Sequence, residues 1–179
     1  MKRLKKILII IGIVVLALVV IAQFLPGKYH VERSVVMAAK PETIHPWINN
    51  LKQWPEWSPW TAAKDPTIAY AYEGPEEGVG AISKWDSKKW GQGEMKVIAS
   101  DPASGVKFDL SFDKGKYACV GIFSFEAAET GTKVTWAMDG TLSRNPLDRF
   151  FSLLMDSFTG PDFEEGLSGL KKKVEAKQP

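Results

Sequence analysis

Cysteine is almost absent: Cys119 is the single one in 179 residues. No intramolecular disulfide can form, and no metal site built on paired cysteines is available. Cys119 lies in the apolar run Tyr117 to Phe125, where a buried, inert thiol is expected. Histidine is scarce as well. His30 and His45 are far apart and lack metal-ligand spacing, and both read as surface or capping residues rather than bases. There is no Gly-x-Ser-x-Gly elbow and no phosphate-binding Gly-Lys-Ser/Thr loop. No metal and no cofactor is implied.

A basic excess is missing too, although the formal charge is +2. Lys2, Arg3, Lys5 and Lys6 precede a long apolar segment, and without them the rest of the chain is slightly acidic. The basic run Lys171 to Lys173 reads as a solvated helix end, so nucleic acid is not an expected partner. Hydrophobic residues make up 45% and charged residues 25%, which suits a folded domain.

The one long apolar run is Ile7 to Leu25, in which only Gly12 and Gln23 are not aliphatic, aromatic or Ala. As a helix it reaches about 28 Å, close to the ~30 Å hydrocarbon core of a bilayer. Pro26-Gly27 stops it. The basic residues before it predict a cytoplasmic N-terminus, with the following domain across the cell membrane. A cleaved signal peptide is the rival reading, with a cut near Ala22 after Val20-Ile21-Ala22 and a secreted or periplasmic product. Continuation of the run through Phe24 and Leu25 favours a retained single-pass anchor. The expected division is 1–27 for the basic start and anchor and 28–179 for one domain.

Period-two alternation predicts a strand from Lys28 to Met37, with Arg33 interrupting its apolar parity. A short helix is expected from Pro41 to Leu51 and a helical turn from Trp54 to Trp57. Turn signals then separate strands at Thr67 to Glu73, Gly80 to Asp86, Trp90 to Ser100, Val106 to Phe112, Lys116 to Glu126 and Thr132 to Leu142. Short hairpin loops imply antiparallel neighbours. Leu147, Phe150, Phe151, Leu154 and Phe158, then Phe163, Leu167, Leu170 and Val174, form a helical apolar stripe, with a bend or restart expected at Gly160-Pro161. Laying that stripe on the apolar face of a curved sheet is the economical packing, and it leaves space between the two for a ligand.

Several segments carry a family resemblance: Val31-Glu32-Arg33-Ser34-Val35, Trp54-Pro55-Glu56-Trp57-Ser58-Pro59-Trp60, Gly78-Val79-Gly80, Thr132-Lys133-Val134-Thr135-Trp136 and Gly160-Pro161-Asp162-Phe163-Glu164. On these the chain resembles the SRPBCC superfamily, the START-like, polyketide cyclase/dehydrase-like proteins, and more narrowly bacterial members with one N-terminal transmembrane helix. The resemblance implies an α+β helix-grip fold: a curved antiparallel sheet of about seven strands wrapped around a long C-terminal helix. It also implies a hydrophobic cavity between them. It implies no single activity, since such proteins include lipid carriers, hormone receptors, aromatase/cyclases and chaperone regulators, and no catalytic residue carries over.

Three functions follow as expectations. The leading one is a membrane-anchored domain outside the cytoplasm that binds a hydrophobic or amphipathic small molecule, such as a lipid. Its candidate contacts are Trp57, Trp60, Tyr70, Tyr72, Trp85, Phe108, Phe112, Phe123, Trp136, Phe151 and Met155. The second is a cyclase or dehydratase using a cavity carboxylate, with Glu94 as candidate and Asp86, Asp109 and Asp139 behind it. The third is a protein-interaction module, which a filled cavity plus an exposed apolar patch would favour. The leading reading is not enzymatic.

Overall fold

The computed structural model describes residues 2–176, with the side chain of Lys2 left aside. Met1 and residues 177–179, which the division above assigns to the anchor and the domain, lie outside the described residues. Helix α1 runs from Lys2 to Phe24. Strand β1 (Lys28–Met37), helix α2 (Pro41–Asn49) and a 3-10 turn (Leu51–Glu56) follow. Six strands then succeed one another: β2 (Ala69–Glu73), β3 (Ile82–Ser87), β4 (Gly91–Asp101), β5 (Gly105–Phe112), β6 (Tyr117–Ala128) and β7 (Gly131–Thr141). Helices α3 (Pro146–Ser152) and α4 (Met155–Glu175) close the chain.

The seven strands form one antiparallel sheet in the order β1-β7-β6-β5-β4-β3-β2. Hairpins join β2 through β7 in sequence. Strand β1 pairs with β7, so α2 and the 3-10 turn carry the chain across to the far edge. A register shift between Val97 and Ala99 marks a bulge in β4, a device that bends a strand and strengthens its twist. The result is the expected helix-grip arrangement. Helix α4 lies on the apolar face, burying Phe163, Leu167, Leu170 and Val174 against Val31, Val134 and Trp136. Each such side chain contributes about 1.5–3 kcal/mol when taken from water.

Two glycines set the distance between α4 and its neighbours. A Cβ at Gly166 would stand 2.7 Å from Trp136 Cζ3, and one at Gly169 would stand 2.2 Å from the Trp57 carbonyl oxygen. Polar ties lock the helix lengthwise. Arg33 Nε donates to Glu164 at 2.7 Å, and its Nη1 and Nη2 donate to Asp156 at 2.8 and 3.1 Å. Glu175 accepts from the Ala38 amide, and Lys171 donates to the Val36 carbonyl. Arg33 therefore interrupts the apolar parity of β1 because it clamps α4.

Three expectations need correction. Gly160-Pro161 does not restart the terminal helix: both sit inside α4, and the break lies at Leu153-Leu154. Pro161 forgoes one backbone hydrogen bond, while the continuous buried stripe beyond it holds the helix together. The absent Cβ at Gly160 makes room for the Arg33 guanidinium, which would lie 2.1 Å from it. Next, the first half of the stripe is not core: Leu147, Phe151, Leu154 and Phe158 are exposed. Finally, His45 is neither a surface nor a capping residue. It is buried, and its Nε2 bonds Ser100 Oγ at 2.8 Å while Ser100 donates to Asn49 Oδ1 at 2.7 Å. Since Ser100 spends its only proton on Asn49, Nε2 carries the hydrogen. Burial pushes the His45 pKa down.

Helix α1 is long and apolar enough to cross a membrane, and almost none of it is buried. The core helix of a domain would be covered instead. Its end is tied to the domain. Arg149 Nη1 donates to the Leu25 carbonyl at 3.2 Å, Ser152 Oγ donates to Pro26 O at 2.8 Å, and the Leu142 amide donates to Gly27 O at 2.8 Å.

Candidate functional site: an apolar cavity under the terminal helices

Aromatic residues fill one half of the space between sheet and helix and line the other. Trp136 stacks on Phe163 with ring centroids 4.1 Å apart and planes 7° from parallel, and on Phe123 at 4.8 Å. Trp54 meets Phe108 and Trp136 edge-on at 5.4 and 5.6 Å. Such offset and edge geometries each add about 0.5–1.5 kcal/mol beyond burial. The buried indoles are satisfied: Trp54 Nε1 donates to Ile48 O and Trp57 Nε1 to Trp47 O, both at 2.9 Å. The motif Trp54 to Trp60 is thus a plug whose polar tips are spent on α2, and it forms the floor of what lies beyond.

Beyond it is a cavity of about 640 Å³, within the range of pockets that hold drug-sized molecules. Its walls are the inner faces of the sheet, from Tyr29 on β1 and Tyr70 on β2 through β3 to β7, with the loop 57–68 and helices α3 and α4. Trp60, Tyr70, Trp85, Phe108, Phe112, Trp136, Phe151 and Met155, all named from sequence, border it. Trp57 and Phe123 do not: both are buried in the plug behind the wall. Tyr72 does not either. It stands half out of edge strand β2 and stacks on Tyr70 at 6.2 Å.

Glu94 is on the wrong side of the sheet. On β4 its neighbours Met95 and Val97 turn inward, so Glu94 and Lys96 turn out. Glu94 faces Lys84 across the strand pair, 3.6 Å away, and is open to water. Asp86 accepts from Gln92 on the same outer surface, and Asp109 is exposed. Asp139 pairs with His30, whose Nδ1 lies 2.7 Å from it and whose pKa it raises. None reaches the cavity. Among the described residues, no group of three or more His, Cys, Asp or Glu is placed to hold a metal ion. Cys119 is buried, as expected, and burial pushes its thiol up to about 11.

Two carboxylates do border the cavity: Asp148 on α3, which accepts from Ser143, and Asp162. Asp162 lies on α4 beside Phe163, with Thr159 and Met155 one and two turns earlier on the same face. Burial raises its pKa above the ordinary carboxylate range, and nearby Lys64 and Lys89 pull the other way. Lys64 is itself paired with Glu165. Sequence reasoning quoted Gly160-Pro161-Asp162-Phe163-Glu164 but did not single out its aspartate. The 3–4 spacing of Met155, Thr159, Asp162 and Gly166 was the available signal. Tyr29, Trp54 and Trp90 were missed as wall residues for the same reason: lining and filling have the same sequence signature.

The loop 57–68 is held rigidly over one side. Asp65 is buried and accepts from the Thr67 amide and hydroxyl at 2.9 and 2.6 Å, from the Lys89 amide at 3.3 Å, and from Ser87 Oγ. These donors hold its carboxyl far below the usual range. Tyr70 donates to Trp60 O at 2.8 Å, and burial pushes its phenol up to about 12.

The sequence that folds into this sheet, helix and cavity matches a known family. The family model described as "Polyketide cyclase / dehydrase and lipid transport" covers residues 28–175. The chain belongs to this family. Solved structures agree on the fold at low identity. The di-domain aromatase/cyclase StfQ of the steffimycin biosynthetic pathway superposes with a TM-score of 0.66 at 11% identity, covering 84% of this chain and 51% of that one. The Aha1 dimer from Colwellia psychrerythraea gives 0.56 at 17%, covering 84% and 98%. A protein from Chromobacterium violaceum gives 0.59 at 12%, covering 82% and 96%. No curated protein matches in sequence. Family membership and these likenesses fit the cyclase-like domain read from the sequence.

Proposed function

We propose that the domain, residues 28–179, binds a hydrophobic or amphipathic small molecule, such as a lipid, in its cavity, and that residues 1–27 hold it at the outer face of the cell membrane. The cavity carries this reading: about 640 Å³ of space under an aromatic wall, with Asp162 as a half-buried carboxylate on its α4 side. Apolar walls with a few placed polar groups favour a ligand with a long greasy body and one donor-bearing end. The family description, which names lipid transport, supports it. Native mass spectrometry of full-length protein extracted from membranes tests it. Bound lipid-sized mass, displaced by the bulky variant Leu110→Trp, is expected. Protein that is always empty would sink the reading. The same spectrum reports whether residues up to Ala22 have been removed.

Asp162 supports a second reading, a cyclase or dehydratase-type reaction in the cavity. A carboxyl with a raised pKa in an apolar wall is suited to donating or accepting a proton. It replaces Glu94 as the candidate acid–base group. Turnover of a poly-β-ketone analogue that disappears in Asp162→Asn would favour it. Of the two features that would favour the interaction-module reading, a filled cavity is missing, while exposed apolar residues such as Leu147 and Phe158 are present.

A further inference from the structure

The break at Leu153-Leu154 gives the end of the molecule near α1 an unusual surface. Leu147, Phe151, Leu154 and Phe158, spaced four, three and four residues apart, form an uncovered apolar ridge along α3 and the start of α4. Leu147 is 77% and Phe158 59% exposed, and Leu153 and Phe24 extend the patch. The Phe151 and Phe158 rings stack at 5.4 Å, so the ridge is an ordered surface. A monomer in water rarely leaves so many large apolar side chains together in the open.

The position of the ridge identifies its partner. Arg149 and Ser152, on α3 itself, hold the Leu25 and Pro26 carbonyls where α1 ends. The ridge therefore lies beside the point where the chain would leave a bilayer. Negative charges nearby are occupied: Ser143 donates to Asp148, and Asp156 accepts from Arg33. Turning this face toward lipid strands few unpaired groups. The same residues also open inward, since Leu147, Phe151 and Met155 border the cavity.

We infer that α3 and the first turn of α4 dip into the outer leaflet of the phospholipid bilayer that α1 crosses, and that this immersed rim is the mouth of the cavity. The inference rests on the anchoring part of the proposed function. A ligand would pass between bilayer and cavity along Phe151 and Met155 without crossing water. An interfacial helix of this kind sinks about 5–10 Å below the headgroup boundary.

Full-length protein in phosphatidylcholine/phosphatidylglycerol vesicles tests it, with spin labels on Leu154→Cys, Phe158→Cys and Glu129→Cys. Glu129 is an exposed control in the turn between β6 and β7, which lies by the Met37 end of β1, away from the Leu25 and Pro26 ties. All three positions are exposed, so the variants should fold. Expected labels at 154 and 158 are reached by oxygen and shielded from a water-soluble nickel chelate, while 129 shows the reverse. Labels at 154 and 158 as open to nickel as 129, in protein still held by the membrane, would overturn the inference and leave the anchor standing. Spin–spin broadening between copies at 154 or 158 would also overturn it, assigning the ridge to a second copy. Release of the chain with its first 22 residues missing would instead remove the anchor, and the inference with it. Native mass of the same sample reports the cavity separately: shielded labels on an empty protein would support the immersed ridge and refute the ligand.

Discussion

Phe163→Ala tests whether the stacked wall of the cavity is a structural necessity. Phe163 is 2% exposed and lies face to face with Trp136 at 4.1 Å. Removing a buried Phe ring typically costs about 3–5 kcal/mol. Phe163 borders an existing cavity, so part of its surface has no partner atoms to lose, and the loss belongs at the lower end, about 3 kcal/mol. In a chain of this size each kcal/mol moves Tm by about 2–4 °C, which predicts a fall of roughly 6–12 °C. Circular dichroism and tryptophan fluorescence of the full chain in detergent should show the same midpoint if unfolding is two-state. A saturating fatty acid at about one hundred times its Kd should return ~2.7 kcal/mol to wild type, and much less to a variant whose wall has lost its ring. A fall below about 3 °C would refute the reasoning, because α4 would then be held elsewhere.

Other expected outcomes are narrower. Gly169→Ala should destabilise by about 1–3 kcal/mol, since its Cβ meets the Trp57 carbonyl rather than a flexible side chain; a urea titration with an unchanged midpoint would contradict that. Burial lowers the His45 pKa, so the unfolded chain binds the proton more tightly, and stability should fall as pH drops below about 6.5. His45→Gln should flatten that part of the curve, and a slope that survives the substitution would assign it to another group. Asp162 has the opposite sign. Its raised pKa means the folded state holds the proton longer, so stability should fall as pH rises from the ordinary carboxylate range through the raised value, and Asp162→Asn should abolish this slope. Glu94→Gln should leave ligand loading, read by native mass, at the wild-type level, because Glu94 faces Lys84 on the outer surface.

Much of the fold was legible because it rests on local patterns. Alternation in Val106 to Phe112 placed inward and outward faces correctly, whereas in Thr132 to Leu142 the apolar face is right but Thr135 and Ala137 on the opposite face are buried too. The spacing of Phe163, Leu167, Leu170 and Val174 gave the buried side of α4. The site was only partly legible. Parity on β4 alone would have removed Glu94, since Met95 and Val97 are the apolar members. Tyr72 failed because alternation does not tell how far a face extends past the edge of a cavity.

Ile7 to Leu25, the hairpin strands and the terminal stripe were fixed by composition and period, which depend on near neighbours in the chain. Three things were decided by tertiary structure alone. Trp57 and Phe123 fill space while Trp60 and Trp85 line it, because the distinction depends on what stands opposite each ring. Asp162 came to face the cavity through the rotation of α4, set by the Arg33 clamp and by two glycines packed on Trp57 and Trp136. The apolar residues from Leu147 to Phe158 read as core in the sequence and stand outside it in the fold. The break at Leu153-Leu154 and the tie from Arg149 and Ser152 to the end of α1 turn them toward the side where that helix leaves the domain.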